Sequence, residues 1–267
     1  RLRARLSRTR PAMPRHFLDI DSFSAETLRE ILDRAREFKK SPVRQLELLR
    51  GKTLVLIFEK PSTRTRVSFE VGMRELGGNV VTLGDGDSQL GRGETIADTA
   101  RVLSRYAAAI MLRTDDPEKL VELADAASIP VINGLTDATH PCQIMADIMT
   151  FEEHRGSIRG KTVAWVGDGN NVAASWLHAA VKFGFALRIA SPAGFTIPSH
   201  LAQWAQSENG EVTVTADPIE AVKGADCVVT DTWISMGEED QTARRLRAFS
   251  PYQVNARLMR AARKNAL

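Results

Sequence analysis

Phe58-Glu59-Lys60-Pro61-Ser62-Thr63-Arg64-Thr65-Arg66 joins a strand pattern to a helix pattern, and the rest of the chain is best understood from this junction. The apolar run 53–57 before it is typical of a short buried strand. After it, apolar residues repeat four positions apart, as on the packed face of a helix: Val67 with Val71, and Phe69 with Met73. We therefore predict a strand, a tight turn and a packed helix.

The side chains of this turn suit an anion. Ser62, Thr63 and Thr65 supply three hydroxyls, and Arg64 and Arg66 supply two guanidinium groups. The first N–H groups of a helix are free, and the positive end of its dipole lies there. A Ser/Thr cap with two solvated arginines would explain one hydroxyl but not the whole cluster. The turn is therefore predicted to bind a phosphate or a similarly charged anion.

Strand and helix patterns alternate along the rest of the chain, which is typical of parallel sheets covered by helices. An amphipathic helix at 24–38, capped by Ser24, comes first. The predicted strands are 53–58, 79–83, 108–112, 130–133, 162–166, 186–190, 211–215 and 226–230, and the predicted helices are 65–76, 94–105, 117–127, 141–154, 172–183, 199–207 and 218–223. We predict an α/β protein with two successive parallel-sheet domains, residues 13–150 and 151–267, after a disordered or non-native basic tail at 1–12.

Composition excludes several classes of protein. Among the 267 residues, 43% are hydrophobic and 26% charged, and no apolar run is long enough to span a bilayer. The pI near 9.0 derives from the tail, which carries Arg1, Arg3, Arg5, Arg8 and Arg10 and no acid. Of the 36 Lys and Arg residues five lie in this tail, so the remaining 31 are outnumbered by the 33 Asp and Glu residues. We therefore expect neither a nucleic-acid nor a membrane partner.

The tail and the cysteines bear on location. Met13 begins a stretch that resembles a natural start, so we expect residues 1–12 to be an upstream extension or a cloning remnant. A remnant of an organelle transit peptide is the less favoured alternative, since such peptides are also rich in arginine and poor in acids. Cys142 and Cys227 lie in apolar runs, which favours reduced thiols. These features predict a cytoplasmic protein, with the mitochondrial matrix as the less favoured alternative.

Polar residues also follow two other predicted strands. Arg113 comes directly after the apolar run 108–112, and His140 lies between the strand 130–133 and a helix that opens with proline. Gln143 follows in the first turn of that helix. Ligands of open α/β sheets bind at the carboxyl ends of the strands. A structural role for His140 remains as good an interpretation as a carbonyl-polarising or phosphate-contacting one, whereas the shared sheet edge favours a ligand role for Arg113.

The second half contains an incomplete dinucleotide fingerprint. Gly167 and Gly169 follow a strand, but Val172 stands where related turns have glycine, and the next strand ends in Ser-Pro and not in a ribose-binding acid. We therefore expect no nicotinamide cofactor, and we predict that Asn171 bonds to a small ligand. Asp231, also at a strand end, suits an ammonium group, although a loop cap is the simpler explanation of this residue alone. No metal-ligand spacing and no nucleophile motif is present.

Together these segments resemble the aspartate/ornithine carbamoyltransferase family from about His16 to the end of the chain. The motifs S-T-R-T-R at 62–66 and H-P-x-Q at 140–143 are specific to that family. The Q-L-G loop at 89–91 and the segment Asp231 to Gly237, which contains S-M-G, are similar to its ornithine branch. The aspartate branch would instead carry a lysine-bearing loop near 88–94.

The resemblance implies an activity. It is the transfer of a carbamoyl group from carbamoyl phosphate to the side-chain amine of L-ornithine, in arginine biosynthesis or its degradative reverse, by a homotrimer that needs no cofactor and no metal. The first domain would bind carbamoyl phosphate and the second ornithine. A non-catalytic paralogue that binds carbamoyl phosphate, or a carbamoyltransferase for another amine such as putrescine, stays open as an alternative.

The resemblance also implies roles for single residues. Ser62, Thr63, Arg64 and Thr65 would hold the phosphate, joined by Gln89 of a neighbouring subunit. Arg113 and His140 would contact the carbamoyl oxygen as catalytic groups, and Gln143 the carbamoyl amide. Asn171, Asp231, Ser235 and Met236 would hold the amino-acid end of ornithine. Family members continue into an H-C-L-P loop and a final helix, so we expect weak or no activity from a chain that stops at Leu267.

Overall fold

The computed structural model describes residues 15–40, 47–84, 93–234 and 239–267. In these ranges strands and helices alternate in two groups. The first comprises α1 (Ala25–Lys40), β1 (Thr53–Phe58), α2 (Thr63–Glu75), β2 (Asn79–Leu83), α3 (Ile96–Tyr106), β3 (Ala109–Arg113), α4 (Pro117–Ala126), β4 (Val131–Leu135) and α5 (Pro141–Arg155). The second comprises β5 (Thr162–Val166), α6 (Asn171–Phe183), β6 (Ala186–Ala190), α7 (Ser199–Ser207), β7 (Val212–Thr215), α8 (Pro218–Val222), β8 (Cys227–Val229), α9 (Thr242–Phe249) and α10 (Ala256–Met259).

Each group forms a parallel four-stranded sheet. The strand order is β2-β1-β3-β4 in the first sheet and β7-β6-β5-β8 in the second. The direction of winding therefore reverses between β1 and β3 and again between β5 and β8. Such a reversal opens a crevice at the carboxyl ends of the two strands, where ligands bind in open α/β sheets. The predicted fold class, two parallel-sheet α/β units in succession, is confirmed.

Helices on both faces explain why the central strands are continuously apolar. In β1 every residue except Thr53 is buried. Leu54 and Leu56 face a cluster that contains Met73 of α2, whereas Val55 and Ile57 face the cluster of α3 and α4. Because both faces are covered, β1 is held firmly and its end at Phe58 fixes where the following turn lies.

The helices α1 and α5 tie the two halves of the chain together. Leu28 and Leu32 of α1 and Ile144 and Ile148 of α5 belong to the same buried cluster as Trp165 of β5. The helix that begins at the first sheet edge therefore packs into the core of the second sheet. This packing places the carboxyl ends of both sheets around the start of α5.

The helix α2 departs from its predicted packing. It begins at Thr63, and Val67 and Val71 are 53% and 47% exposed, whereas Met73 is buried and Phe69 packs against its cluster. The prediction that both pairs pack was wrong for the valines. At about 100° per residue, positions two apart lie on opposite sides of a helix, so the two pairs cannot share one face.

A buried carboxylate holds the contact between α1 and α5. Glu152, with a side chain 3% exposed, accepts hydrogen bonds from Arg29 (2.7 Å) and Arg36 and from the Ile158 N–H (3.0 Å). Burial opposes ionisation of this carboxyl, but the bonds from Arg29, Ile158 and Arg36 bring its pKa below the usual value. This stabilisation is therefore present above the unfolded glutamate pKa and is lost as the pH falls through the lowered one.

Within the described ranges, no helix has both the length and the apolar character needed to cross a bilayer.

Replacing Glu152 with alanine is expected to lower the free energy of unfolding by about 3 kcal/mol at pH 7, because two arginines and an N–H lose their shared acceptor. Urea denaturation measures the change. Glu37→Ala is the matched control, since the pair of Glu37 with Arg34 on α1 lies in solvent and should contribute roughly 0.5 kcal/mol or less. An equal loss of unfolding free energy in the two variants would contradict the role of Glu152 at the contact between α1 and α5.

Candidate functional site

A single cleft of about 1230 Å³ lies at the carboxyl ends of both sheets. The first sheet contributes residues 60–65 after β1, Arg113 to Asp115 at the end of β3, and His140 and Gln143 after β4. The second sheet contributes Asp168, Asn170 and Asn171 after β5, Thr230 to Thr232 after β8, and Arg244 and Arg245 of α9. Both reversals of strand order therefore open into the same space.

The turn after β1 presents unused donors to this cleft. Ser62 stands at the cap position of α2 with extended backbone (φ −153°, ψ 113°), but in the described structure its side chain makes no capping hydrogen bond. The predicted alternative, an ordinary serine cap, is therefore not realised. Ser62, Thr63, Arg64 and Thr65 all line the cleft. The start of α2 thus offers N–H groups, hydroxyls and a cation on one side of the cleft.

The side chains of Arg66 and Arg64 have different surroundings, although both residues belong to the same turn. Its Nε donates to Glu70 Oε1 one helical turn later (3.0 Å), and it is absent from the residues that line the cleft. The resemblance implied a phosphate contact for Arg64 and a supporting role near the site for Arg66, and only Arg64 lines the cleft.

Arg113 extends the positive side of the cleft. β1 and β3 pair in register with Phe58 opposite Arg113, so this side chain starts beside the turn. Its Nη1 donates to Thr65 Oγ1 (2.9 Å), and its Nε is buried without a hydrogen-bond partner among the described residues. Burial and the charge of Arg64 both lower the pKa of Arg113, although Asp115 opposes them. Two guanidinium groups therefore approach each other where an anion would relieve their repulsion.

His140 is held as a neutral imidazole. Its backbone N–H donates to Ser175 Oγ (2.7 Å), which in turn donates to the carbonyl of Asn171 (2.9 Å). Its Nδ1 is buried and lacks a hydrogen-bond partner within the described residues. Burial, together with the charge of Arg113, lowers the pKa of His140 to about 4. The imidazole therefore retains one N–H donor and no charge at neutral pH.

Gln143 lies in the first turn of α5, and its side-chain amide forms a hydrogen bond with a carboxylate. Gln143 Nε2 donates to Asp147 Oδ1 (2.7 Å), four residues further along the helix. Burial raises the pKa of Asp147, as does the charge of Asp231, while the bond from Gln143 lowers it. Sequence reasoning missed Asp147. Its position four residues after Gln143 on a predicted helix was the available signal.

Three polar residues line the opposite side of the cleft, at the carboxyl ends of strands β5 and β8 of the second sheet. Asn171 Nδ2 donates to the carbonyl of Thr136 in the loop after β4 (2.6 Å). Asp231, exposed in the cleft, accepts from Asn170 Nδ2 (3.3 Å), and Asn170 also caps α6 by accepting from Val172 N and Ala173 N. Asn170 was not predicted, although an Asn before a helix is a recognisable cap.

A buried ion pair, which was also not predicted from the sequence, lies on the same side of the cleft. Arg245 of α9 donates to Asp168 Oδ2 (2.7 Å) and to the carbonyl of Trp233 (3.2 Å). Trp165 Nε1 donates to the carbonyl of Asp168 (2.8 Å). The pair connects the turn after β5 with the segment after β8. No sequence signal linked these two distant positions.

The glycine turn after β5 is shaped by the protein's own backbone. Gly169 N donates to the carbonyl of Phe195 (2.7 Å), and a Cβ on Gly169 would come within 2.3 Å of Ile197 N. This glycine therefore permits close contact with the loop that follows β6, a role different from cradling a pyrophosphate.

The structure brings most of the predicted site residues into the cleft. Gln89, Ser235 and Met236 lie outside the described residues. Among those described, the one group of three possible metal ligands comprises Asp19, Asp21 and His178, and none of these lines the cleft.

We expect His140 to titrate near pH 4, so that almost all of it is neutral at pH 7. Carbon-detected NMR of the imidazole measures this midpoint. Arg113→Met should raise the midpoint only partly, because burial is the larger cause. His178 is the internal contrast, since Asp19 raises its pKa above the usual value although burial opposes this. A midpoint near 6.5 for His140 would contradict the described surroundings.

Comparison with protein families covers nearly the whole described chain. Residues 15–153 match the model of the aspartate/ornithine carbamoyltransferase carbamoyl-P binding domain, and residues 159–267 match that of the Asp/Orn binding domain. The chain is 55% identical over 261 residues to the ornithine carbamoyltransferase of Rhodopseudomonas palustris strain BisA53, covering 95% of this chain and 83% of the relative. It is also 55% identical to that of Agrobacterium fabrum, covering 96% and 84%.

Solved structures agree with this similarity. The ornithine carbamoyltransferase of Pyrococcus furiosus has a TM-score of 0.90 at 46% identity, over 96% of this chain and 83% of that one. The anabolic ornithine carbamoyltransferase of Campylobacter jejuni has a TM-score of 0.89 at 38% identity, over 95% and 84%. With family models matching both halves and relatives similar over most of their length, this chain belongs to the aspartate/ornithine carbamoyltransferase family.

Proposed function

We propose that this chain transfers the carbamoyl group of carbamoyl phosphate to the side-chain amine of L-ornithine, which yields L-citrulline and phosphate. The observation that carries the proposal is the division of one cleft into two chemically distinct sides. The first sheet contributes Arg64, Arg113 and the start of α2, and the second contributes Asn171 and Asp231. An anionic donor and a substrate with both ammonium and carboxylate groups match these two sides.

The phosphate would occupy the start of α2. Ser62, Thr63, Arg64 and Thr65 line that part of the cleft, and the side chain of Ser62 is not engaged in capping the helix. Hydroxyl and guanidinium donors combined with helix N–H groups bind phosphate through charge-assisted hydrogen bonds. In the family assembly Gln89 of a neighbouring subunit would add a further contact.

The carbamoyl carbonyl would lie between Arg113 and His140, which we propose as the catalytic groups. Thr65 Oγ1 accepts from Arg113, so its own O–H can donate to the same oxygen. Negative charge develops on the carbonyl oxygen when the amine attacks the carbon, and fixed donors that point at it lower the barrier. A neutral imidazole serves this purpose because it keeps an N–H without bringing a third positive charge to the buried edge.

The amino-acid end of ornithine would bind across the cleft. Asp231, which is exposed and held by Asn170, suits the ammonium group, and Asn171 supplies polar amide atoms. Ser235 and Met236 would complete this side. The remaining cost is removal of a proton from the attacking amine, about 4.6 kcal/mol at pH 7 for an alkylammonium of pKa ~10.4. The reaction then needs alignment of the two substrates and neither a covalent intermediate nor a cofactor.

Assembly and location complete the proposal. We propose that residues 13–150 bind carbamoyl phosphate and residues 151–267 bind ornithine, in a homotrimer. The exposed apolar residues Val67 and Val71 of α2 and Val81 of β2 support an interface on this half of the chain. The free thiols of Cys142 and Cys227, whose pKa values burial raises to about 12, fit a reducing cytoplasm and a role in arginine biosynthesis or its reverse.

Arg64→Ala is expected to lower kcat/KM for carbamoyl phosphate about 100-fold or more, since a charged donor to the phosphate is lost. Citrulline formation measures the effect with ornithine, and the carbamoylated product of each amine is measured when putrescine or aspartate is the acceptor. The assay uses the 267-residue chain and a version continued past Leu267 with the C-terminal segment of a relative. Only ornithine should be carbamoylated at an appreciable rate.

Arg66→Ala is the matched control, because Arg66 pairs with Glu70 on the same helix away from the cleft. It should change kcat/KM only a few-fold. Unchanged kinetics in Arg64→Ala would remove that residue from the phosphate site. Binding of carbamoyl phosphate without turnover of any amine would instead favour the non-catalytic paralogue.

A further inference from the structure

A hydrogen bond to Asp147 defines the orientation of the Gln143 side-chain amide. Its Nε2 donates to Asp147 Oδ1 at 2.7 Å, and both residues line the cleft. The two ends of a glutamine amide are nearly equal in size, so only hydrogen-bond partners decide which end faces which way. An ionised carboxylate accepts hydrogen bonds and cannot donate one. Asp147 therefore holds the nitrogen and leaves the oxygen, Oε1, for a ligand.

The groups proposed to contact the carbamoyl carbonyl in the same cleft are donors. His140 precedes Gln143 by three residues and is neutral with one N–H to give, and Arg113 offers only N–H groups. The carbonyl side of the cleft therefore consists of donors, with Gln143 Oε1 as an acceptor beside them. A group containing both a C=O and an N–H matches this arrangement. An acyl group with a methyl in place of the N–H would satisfy the donors but leave Oε1 without a partner.

We propose that Asp147 is a positioning residue that fixes the Gln143 amide, so that the site selects a carbamoyl group over an acyl group that lacks an N–H. The inference rests on the proposed function, because it assumes that the carbamoyl phosphate site lies at this edge. It adds a specificity determinant that does not itself touch the substrate.

The alternative is that Asp147 merely stabilises α5 through a helical side-chain pair. Such pairs contribute little to stability, and their loss would weaken the binding of every ligand alike. The positioning role makes a different prediction, since only the discrimination between an amide and a methyl ligand should depend on Asp147. This dependence on Asp147 should also require the side chain of Gln143.

Two stable phosphonates test this role. Phosphonoacetamide and 2-oxopropylphosphonate differ only in an NH2 group that replaces a methyl, and calorimetry gives the ratio of their dissociation constants. The wild-type chain is expected to prefer the amide by about 10-fold, because the methyl ligand lacks the hydrogen bond to Oε1. Asp147→Asn offers an NH2 that can donate to Oε1 and turn the amide around, so the preference should fall to about 3-fold or less.

The double variant isolates the mechanism. Gln143→Ala should also reduce the preference, and adding Asp147→Asn to it should cause no further change, because coupled residues are not additive. Asp115→Asn is the matched control, since Asp115 lines the same cleft but pairs with Lys60, and its preference should equal that of wild type. Asp147→Ser replaces Asp147→Asn if thermal melts show that the latter does not fold.

The outcomes separate the two levels of the proposal. A full wild-type preference in Asp147→Asn, or an equal effect of this change with and without Gln143, would overturn the role of Asp147. Equal affinity of the wild-type chain for the two phosphonates would also overturn the role of Asp147, but it would leave the proposed phosphate site intact. If the wild-type chain binds neither phosphonate, the proposed carbamoyl phosphate site itself fails, and the inference fails with it.

Discussion

The hydrogen bond from Arg113 to Thr65 is the contact on which the anion side of the cleft depends. It exists because β1 and β3 are neighbours at the point where the first sheet reverses its winding. The bond brings a half-buried guanidinium toward Arg64, whose charge is one reason for the lowered pKa of Arg113. Two like charges held together raise the energy of the unliganded chain, and an anion that binds between them removes this repulsion. The fold thus prepares the proposed phosphate site before a ligand binds.

A chain of hydrogen bonds links this side of the cleft to the other. The backbone N–H of His140 donates to Ser175 Oγ of α6, Ser175 donates to the carbonyl of Asn171, and Asn171 Nδ2 donates to the carbonyl of Thr136. The groups proposed to polarise the carbamoyl carbonyl are therefore positioned by the same helix that begins the amino-acid side. Alignment of two substrates needs this kind of rigid connection, because catalysis by proximity is lost when the reacting atoms are displaced by about 1 Å.

Much of this was predictable because local patterns determine it. Five predicted elements have the observed limits, namely strands 53–58, 79–83, 162–166 and 186–190 and helix 199–207, and the others differ by at most two residues at either end. Parallel topology then places Arg113 and His140 at one edge without further information. Contacts between distant segments were not predictable, as the pairs Arg245 with Asp168 and Glu152 with Arg29 illustrate. The helices α9 and α10 were missed as well, since they span only eight and four residues, too few for a sustained helical period, although Phe249 of α9 is fully buried.

The most direct test is a crystal structure with a bisubstrate phosphonate in which a phosphonoacetyl group is joined to the side-chain nitrogen of ornithine. The account predicts the phosphonate at the start of α2 against Ser62 and Arg64, its carbonyl at Arg113 and His140, and its amino-acid end at Asn171 and Asp231. A phosphonate bound elsewhere, with Arg64 directed into solvent, would contradict the view that the two sheet edges serve one reaction.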